Sequence, residues 1–342
     1  MGRFVSVILA AGKGKRMKSR TAKILHPICG KPMLSYVLEL VRELKTEKTI
    51  LVVGTQKEEV IREFRDWDVE FIEQEKPLGT GDAVLKAEKA LKDIDSNVIV
   101  LAGDTPLLSR NTIETMMELH SDHNVDVTLL STILEEPSGY GRILRDGKKV
   151  VGIVEEKDTS EAEKSIKEIN AGVYIFNKDK LFRYLKDVKP NNIQKEYYLT
   201  DIVRLIQKER GKIEIFRTDD WKETIGINDR WILSFVSKII EQRIMKGLMK
   251  NGVTIVCPES TYIDYGVKVE KESLLEPFVS LTGKTLIDED SRIHSHCSIH
   301  NSVVGKNVEI GENCLLIHAH IPDNSVIPAH SIIKDEKEEK KE

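Results

Sequence analysis

The sequence predicts a doubly wound α/β sheet followed by a short left-handed parallel β-helix. Two observations predict this arrangement. Strand-like apolar runs alternate with helical patterns in the N-terminal part, and aliphatic residues recur at every sixth position near the C-terminus. The predicted domains are residues 1–227 for the sheet, 228–250 for a linker helix, 251–333 for the β-helix and 334–342 for a charged, disordered tail.

The sheet is predicted from short apolar, β-branched runs, of which residues 4–9 are the first. In such sheets ligands bind beyond the carboxyl ends of the strands, so the loops after Leu9 and Leu101 are the expected binding sites. Further strands are predicted at 50–53, 68–72, 98–101, 125–133, 150–154, 172–176 and 212–216, and helices from Pro32 and at 57–65, 80–92, 199–207 and 228–250.

The β-helix is predicted from hexads that begin with an aliphatic residue and change phase twice. A coil takes about 18 residues, so this region supplies about four coils. Hexapeptide β-helices commonly pack as threefold bundles, which predicts a homotrimer. The hexads begin at Ile287, Ile293 and Ile299, then at Val304 and Ile310, and finally at Ile321 and Ile327.

Composition narrows the possible functions. The formal net charge is −4, whereas a nucleic-acid-binding protein usually has an excess of basic residues. No apolar run is long enough to span a bilayer. The four cysteines are scattered without metal-ligand spacing. We therefore expect a reduced, cytoplasmic protein with neither nucleic acid nor membrane as a partner.

The loop after the first strand, residues 9–17, is the clearest chemical feature. Gly12 and Gly14 allow tight turns and close backbone approach, and Lys13, Lys15 and Arg16 surround them with positive charge. Backbone N–H groups and cations together form a cradle for a polyphosphate. The loop matches neither the Walker pattern nor the dinucleotide pattern, and by itself it would equally suit a solvated turn.

The continuation of this loop resembles a known family. The run L-A-A-G-x-G-x-R-M, then Lys23, then L-x-P-x-x-G-K-P-M-L over residues 25–34 resembles the sugar-1-phosphate nucleotidyltransferases. The resemblance is greatest to the uridyltransferase domain of bifunctional enzymes that also carry a hexapeptide-repeat acetyltransferase domain. It continues through Gln74 with Gly79–Gly81, Gly103–Asp104, Gly139–Ile143, Ile153–Glu155, Glu168–Asn170, Glu196–Asp201 and Gly226–Asn228.

The resemblance implies a Rossmann-like mixed sheet and a Mg²⁺-dependent reaction. UTP and N-acetylglucosamine-1-phosphate would give UDP-N-acetylglucosamine and pyrophosphate by in-line attack on the α-phosphate. The implied residues are Arg16 and Lys23 for catalysis; Leu9, Ala10, Ala11, Gly12, Lys13, Gly14, Gln74, Gly79 and Thr80 for the nucleotide; Gly141, Glu155, Asn170, Tyr198 and Thr200 for the sugar phosphate; and Asp104 and Asn228 for the metal.

Two alternatives stay open at the level of sequence. The same chemistry could act on glucose-1-phosphate or another hexose-1-phosphate, with UTP or dTTP, or the chain could be a non-catalytic β-helix scaffold or regulatory subunit. The chain departs from the family pattern at Lys15, Pro77 and Ala102. None of the six C-terminal histidines aligns with the family's acetyltransferase segment, so we expect neither acetyl transfer nor a histidine metal site.

Overall fold

The computed structural model describes residues 2–123 and 125–335. The chain divides into two units. One unit comprises Met1–His26 and Pro32–Ile232, and the other comprises Pro27–Lys31 and Leu233–Glu342. Among the described residues, none of the helices combines the length and apolarity needed to cross a lipid bilayer.

The strands before residue 218 form a nine-stranded sheet and a separate pair of two-residue strands. In chain order they are β1 (Phe4–Ala10), β2 (Pro27–Ile28), β3 (Lys31–Pro32), β4 (Thr49–Val53), β5 (Glu70–Glu73), β6 (Asn97–Ala102), β7 (Val127–Ile133), β8 (Gly141–Asp146), β9 (Lys149–Val154), β10 (Glu168–Phe176) and β11 (Ile213–Arg217). The pair consists of β2 and β3, and the others belong to the large sheet.

The nine-stranded sheet is mixed, as the resemblance implies. Its main path is β11-β7-β10-β6-β1-β4-β5, and β8 and β9 extend it from β10. Strand β1 pairs in parallel with β4 and β6, whereas β10 runs antiparallel to β6, β7 and β8. The alternation of strands and helices alone predicted a parallel sheet, which holds for β6, β1, β4 and β5 but not for β10.

Helices flank this sheet and bury both faces of its central strands. In β1 the first five residues are buried, which explains the unbroken apolar run in the sequence. The helices of the first unit are α1 (Met33–Leu44), α2 (Lys57–Phe64), α3 (Thr80–Leu85), α4 (Arg110–His123), α5 (Glu161–Lys164), α6 (Lys178–Leu185) and α7 (Asp201–Lys208); α8 (Arg230–Lys250) belongs mostly to the second unit.

Most predicted elements are confirmed, and the differences have local causes. The predicted helix 80–92 is wrong as one element, because α3 ends at Leu85 and only a 3₁₀ turn, Lys89–Leu91, follows. Strand β10 begins at Glu168, four residues before the predicted start. Strand β8 and helices α4, α5 and α6 were not predicted, since each is short or rich in charged and polar residues.

The second unit contains a hexapeptide β-helix built from three parallel sheets. Its left-handed winding stays a prediction. The strands are β12 (Thr254–Ile255), β13 (Tyr262–Ile263), β14 (Lys268–Val269), β15 (Leu274–Leu275), β16 (Ser280–Thr282), β17 (Leu286–Ile287), β18 (Arg292–Ile293), β19 (Ser298–His300), β20 (Val303–Val304), β21 (Glu309–Ile310), β22 (Leu315–Ile317), β23 (His320–Ile321), β24 (Val326–Ile327) and β25 (Ile332–Lys334). Strand β25 ends at Lys334, the first residue of the predicted tail, and residues 336–342 lie outside the described residues, so the disordered tail stays a prediction.

Both predicted changes of phase occur at one corner of the coil. The buried strand residue that follows Ile299 is Val304 of β20, and the one that follows Leu316 is Ile321 of β23, so each of these two corners is one residue shorter than a full hexad. The preceding coil keeps the full hexad, from Leu281 to Ile287. Parallel pairing is maintained across the change, since Ile287 pairs with Val304 and Val304 pairs with Ile321.

The corners explain three of the six histidines of this region. From Glu272 onward, each corner carries a residue with left-handed backbone conformation, which residues other than glycine, asparagine, aspartate and histidine rarely adopt. Asparagine occupies several of these positions, as at Asn307 and Asn313. His296, His318 and His330 occupy others, with φ values of 63°, 52° and 63°. These histidines therefore serve the fold of the coil.

A buried histidine of the first unit makes stability depend on pH. His120 of α4 lies with its Nδ1 3.0 Å from Oγ1 of Thr128 on β7, and burial lowers the pKa of His120 from 6.5 to about 4. The unfolded chain then binds this proton more readily than the folded one. Stability is complete above pH 6.5 and falls as the pH approaches 4, by about 3 kcal/mol for this group.

In the His120→Gln variant, we expect the free energy of unfolding to lose the part of its pH dependence that comes from His120. The free energy of unfolding should be measured by urea titration between pH 4 and pH 7. His320, which is exposed, provides the matched control His320→Gln, which should titrate like the unaltered protein. Equal pH dependence in the two variants would contradict the assignment.

Candidate functional site

A cleft of about 470 Å³ opens at the carboxyl ends of β1, β5 and β6. Its position agrees with the expectation for ligands of doubly wound sheets. Eleven of the predicted site residues line it: Leu9, Ala10, Ala11, Gly12, Lys13, Gly14, Lys23, Gln74, Gly79, Thr80 and Asp104. The three positions that depart from the family pattern, Lys15, Pro77 and Ala102, also line the cleft.

The two glycines of the first loop have different roles. Gly14 has a φ of +55°, and a Cβ atom there would lie only 2.7 Å from Cβ of Lys23. Gly14 is therefore required both by its backbone conformation and by the close passage of the Lys23 stem. Gly12 has no atom within 4 Å of such a Cβ, so nothing in the protein itself requires glycine there. The space beside Gly12 is open to a ligand.

The Lys23 ammonium joins two oxygens from distant parts of the chain. Its Nζ donates to the Asp104 carboxylate, which follows β6, and to Oδ1 of Asn228 at 2.9 Å, just before α8. The backbone supports this arrangement, because the N–H of Ile227 donates to the carbonyl of Asp104 at 2.9 Å. The predicted metal pair, Asp104 and Asn228, is thus brought together around one cation.

This donor set fits a hard divalent cation. One carboxylate oxygen and one amide oxygen converge on a positive charge, and Mg²⁺ is commonly held by one or two carboxylates together with substrate phosphates. Among residues 2–123 and 125–335, no cluster of three or more His, Cys, Asp or Glu side chains is placed to hold a metal ion.

The other end of the cleft is formed by Gln74 and the start of α3. Gly79 has a φ of +116°, and a Cβ there would lie 2.5 Å from the carbonyl oxygen of Tyr197. The hydroxyl of Thr80 accepts a hydrogen bond of 3.0 Å from the N–H of Leu199. Gln74 directly follows β5 and is buried, with its Nε2 3.0 Å from the carbonyl oxygen of Gly79. Close packing thus fixes this end of the cleft.

The predicted sugar residues form a second group beside the lining of the cleft. Gly141 and Asn170 are opposite each other in the β8–β10 ladder, and a Cβ at Gly141 would lie 3.5 Å from Oε2 of Glu155. The hydroxyl of Thr200 donates to Oε1 of Glu155 at 2.9 Å. Tyr198 stands apart from this set of bonds, since its hydroxyl accepts from Nε2 of Gln194 at 2.7 Å. Four of the five residues are therefore directly connected.

Burial shapes the acidity of this group. Burial raises the pKa of Glu155, and the hydrogen bond from Thr200 offsets part of that effect. Burial likewise raises the pKa of Tyr198 to about 12. Asn170 is also buried and donates through Nδ2 to the Tyr174 hydroxyl at 2.7 Å. Such a set of buried polar groups suits recognition of hydroxyl and amide groups of a ligand.

Two other predicted residues do not line the cleft. Arg16 is exposed on the 3₁₀ turn Lys15–Met17, so its predicted contact with phosphate stays a prediction. Asn228 does not line the cleft either, but it reaches Lys23, which does.

Sequence reasoning missed three residues near the cleft. Glu196 lines it, although the sequence analysis quoted this position only as part of a motif. Burial raises the pKa of Tyr140, whose hydroxyl is also influenced by the Gly226 N–H and the Asp104 charge, and this places it near the Lys23 cluster. Asp82 accepts a hydrogen bond of 2.7 Å from Nε2 of Gln74. An acidic residue in the first turn of a helix is common, so nothing in the sequence distinguished Asp82.

Comparisons with known proteins agree with this geometry. Residues 5–231 match the family described as nucleotidyl transferase, and residues 263–342 match the one described as GlmU-like, C-terminal hexapeptide. The family resemblance predicted from the motifs is confirmed.

Relatives and a solved structure give the same result. The chain is 42% identical over 311 residues to the bifunctional protein GlmU of Listeria monocytogenes serotype 4a, covering 91% of this chain and 68% of that protein. It is 43% identical over 344 residues to the bifunctional protein GlmU of Caldanaerobacter subterraneus, covering 96% and 74%. A crystal structure of UDP-glucose pyrophosphorylase complexed with UDP-glucose superposes with a TM-score of 0.58 at 20% identity, covering 71% of this chain and all of that one, which shows a shared fold.

The glycines of the loop give a direct test of the geometry. We expect Gly14→Ala to lower the free energy of unfolding by about 1–2 kcal/mol, since alanine disfavours the left-handed conformation and its Cβ would meet Lys23. Gly12→Ala is the matched control and should change the free energy of unfolding by less than about 0.5 kcal/mol. Equal effects of the two substitutions in urea unfolding would show that the loop adopts another conformation.

Proposed function

Because the chain belongs to the nucleotidyl transferase family, we propose that it is a sugar-1-phosphate uridylyltransferase. It would form UDP-N-acetylglucosamine and pyrophosphate from UTP and N-acetylglucosamine-1-phosphate. The observation that carries the proposal is the cluster of Lys23, Asp104 and Asn228: Lys23 and Asp104 line a cleft whose other end holds Gln74, and Asn228 bonds to Lys23. In this proposal one end of the cleft would bind phosphate and the other would bind the base.

The residues of the cluster suit nucleotidyl transfer. The reaction replaces the bond from the α-phosphorus to pyrophosphate by a bond to the sugar phosphate oxygen, and it needs positioning and charge neutralisation more than covalent help. Lys23 supplies a positive charge at the reacting phosphates, and the backbone N–H groups around Gly12 and Gly14 can bind phosphate oxygens. No general base is required, because the attacking phosphate is already ionised at neutral pH.

A magnesium ion bound by Asp104 and Asn228 would offset negative charge on the phosphates. The support is the convergence of their oxygens on the Lys23 ammonium, which holds the place of a cation between them. With the ion held by Asp104 and Asn228, the Lys23 ammonium would serve as a positive charge beside the phosphates. Arg16, which is exposed on its 3₁₀ turn, would hold the β- and γ-phosphates with its planar guanidinium group.

We propose that the buried group around Glu155 determines the sugar specificity. Its carboxylate, with the amide of Asn170 and the hydroxyl of Thr200, offers acceptors and donors for sugar hydroxyls and for an acetamido group. Glucose-1-phosphate or another hexose-1-phosphate is the alternative substrate, and dTTP is the alternative nucleotide, since thymine differs from uracil only by a methyl group.

A non-catalytic scaffold or regulatory subunit is the alternative of a different class. A chain without catalysis would not need Lys23, Asp104 and Asn228 to meet, so their contact supports the enzyme.

We further propose a homotrimer assembled through the β-helix, which sedimentation of the purified protein would test. Absence of acetyl transfer also stays a proposal, supported by the corner positions of His296, His318 and His330.

The proposed reaction can be tested with a panel of substrates. We expect pyrophosphate release with UTP and N-acetylglucosamine-1-phosphate in the presence of Mg²⁺, and less release with glucose-1-phosphate or with dTTP. Omission of Mg²⁺ or addition of a chelator should stop it. If no sugar phosphate supports turnover with any of these nucleotides, the enzyme assignment fails and the scaffold alternative is favoured.

Removal of the Asp104 charge tests the metal role. Asp104→Asn keeps the size of the side chain but weakens the cation site, so we expect kcat to fall by about a hundredfold or more, equivalent to about 2.7 kcal/mol. Asp179, whose side chain is 91% exposed, provides the control Asp179→Asn, which should retain full activity. Unchanged turnover in Asp104→Asn, at any Mg²⁺ concentration, would contradict the role.

A further inference from the structure

The side-chain amide of Gln74 is held by two acceptors. Its Nε2 donates to the carbonyl oxygen of Gly79 at 3.0 Å and to Oδ2 of Asp82 at 2.7 Å. A primary amide nitrogen has two hydrogens, and both are used by these bonds. Among the described residues no donor reaches Oε1 of Gln74, and this residue lines the cleft. The amide therefore offers an acceptor to whatever binds beside it.

The reverse orientation of this amide is strongly disfavoured. It would place Oε1 of Gln74 against the Gly79 carbonyl and the Asp82 carboxylate, and neither of these groups carries a hydrogen. Gln74 is only 5% exposed, so water would not readily replace the two lost bonds. The backbone carbonyl alone would hold the amide by one neutral bond. The carboxylate adds a charge-assisted bond, so only one of the two orientations of the amide is favourable.

Asp82 is itself held in place. Its side chain is 11% exposed, and its second oxygen, Oδ1, lies 3.5 Å from Nζ of Lys86 one helical turn later. The start of α3 also favours a negative charge. That preference explains an acidic residue in this turn, but it does not explain why Oδ2 is directed at Gln74. The contact with Gln74 is a separate property of this carboxylate.

We infer that Asp82 is a positioning residue that fixes Oε1 of Gln74 toward the nucleotide base and so selects uracil or thymine over cytosine. Uracil and thymine carry a hydrogen on N3, which an amide oxygen can accept, whereas N3 of cytosine carries a lone pair, which the same oxygen repels. The inference rests on the proposed function, in which Gln74 faces the base. It adds a residue that acts through Gln74 rather than by contact with the nucleotide.

The test compares UTP with CTP in variants of Asp82. Asp82→Asn offers a donor as well as an acceptor, and Asp82→Ala offers neither, so both variants let the Gln74 amide turn. We expect the ratio of kcat/KM for UTP to that for CTP to fall about tenfold in each variant, mainly through a higher KM for UTP with kcat largely retained. Asp82→Glu keeps a carboxylate and should restore most of the ratio.

Controls separate this inference from the proposed function. Asp66, whose side chain is 87% exposed, provides Asp66→Asn, which should keep the ratio of the unaltered protein. Binding of UTP and of CTP should also be measured by calorimetry without sugar phosphate. If the unaltered protein binds UTP in preference to CTP and Asp82→Asn reduces that preference, the inference holds even when no sugar phosphate is turned over. The inference is overturned if both Asp82→Asn and Asp82→Ala keep a preference for UTP over CTP within about twofold of that of the unaltered protein.

Discussion

The contact of the Lys23 ammonium with Asp104 and Asn228 is the interaction on which the site depends. It connects the first loop, the carboxyl end of β6 and the residues just before α8. The Asp104 side chain is only 21% exposed, so a positive charge nearby stabilises its carboxylate whether or not a ligand is bound. Each neighbouring feature keeps this contact possible: Gly14 leaves room for the lysine stem, and Ile227 ties the backbone to Asp104. The Lys23 ammonium thus holds the Asp104 and Asn228 oxygens together.

The residues that line one end of the cleft could be predicted from the sequence, because they lie in short motifs. Glycines and cations in one loop, and an aspartate directly after a buried strand, indicate phosphate and metal chemistry by residue type and position. The family resemblance then extended this to Gln74 and the sugar group. The meeting of Lys23 with Asn228 could not be derived from composition or periodicity, since it depends on how the sheet returns the chain to the end of β6.

The elements that escaped prediction are short or strongly polar. Helix α4 carries charged and polar residues beside its buried ones, α6 has only eight residues, and β8 ends in two exposed charged residues. Antiparallel β10 looked like another parallel strand, because strand direction leaves no trace in a short apolar run. Asp82 and Glu196 were overlooked for a different reason: their importance lies in one partner or one cavity wall, which a residue type alone does not reveal.

The shortened corners of the β-helix restrict how this part of the chain can change in length during evolution. Gly283, Asn301 and His318 occupy equivalent left-handed positions in successive coils, and a Cβ at Gly283 would lie 2.1 Å from Oδ1 of Asn301. A single inserted or deleted residue elsewhere in a coil would shift every later corner and turn aliphatic side chains away from the core. Genetic insertions and deletions should therefore survive mainly as whole coils, or at this one corner, where a loss of one residue has already been accommodated twice.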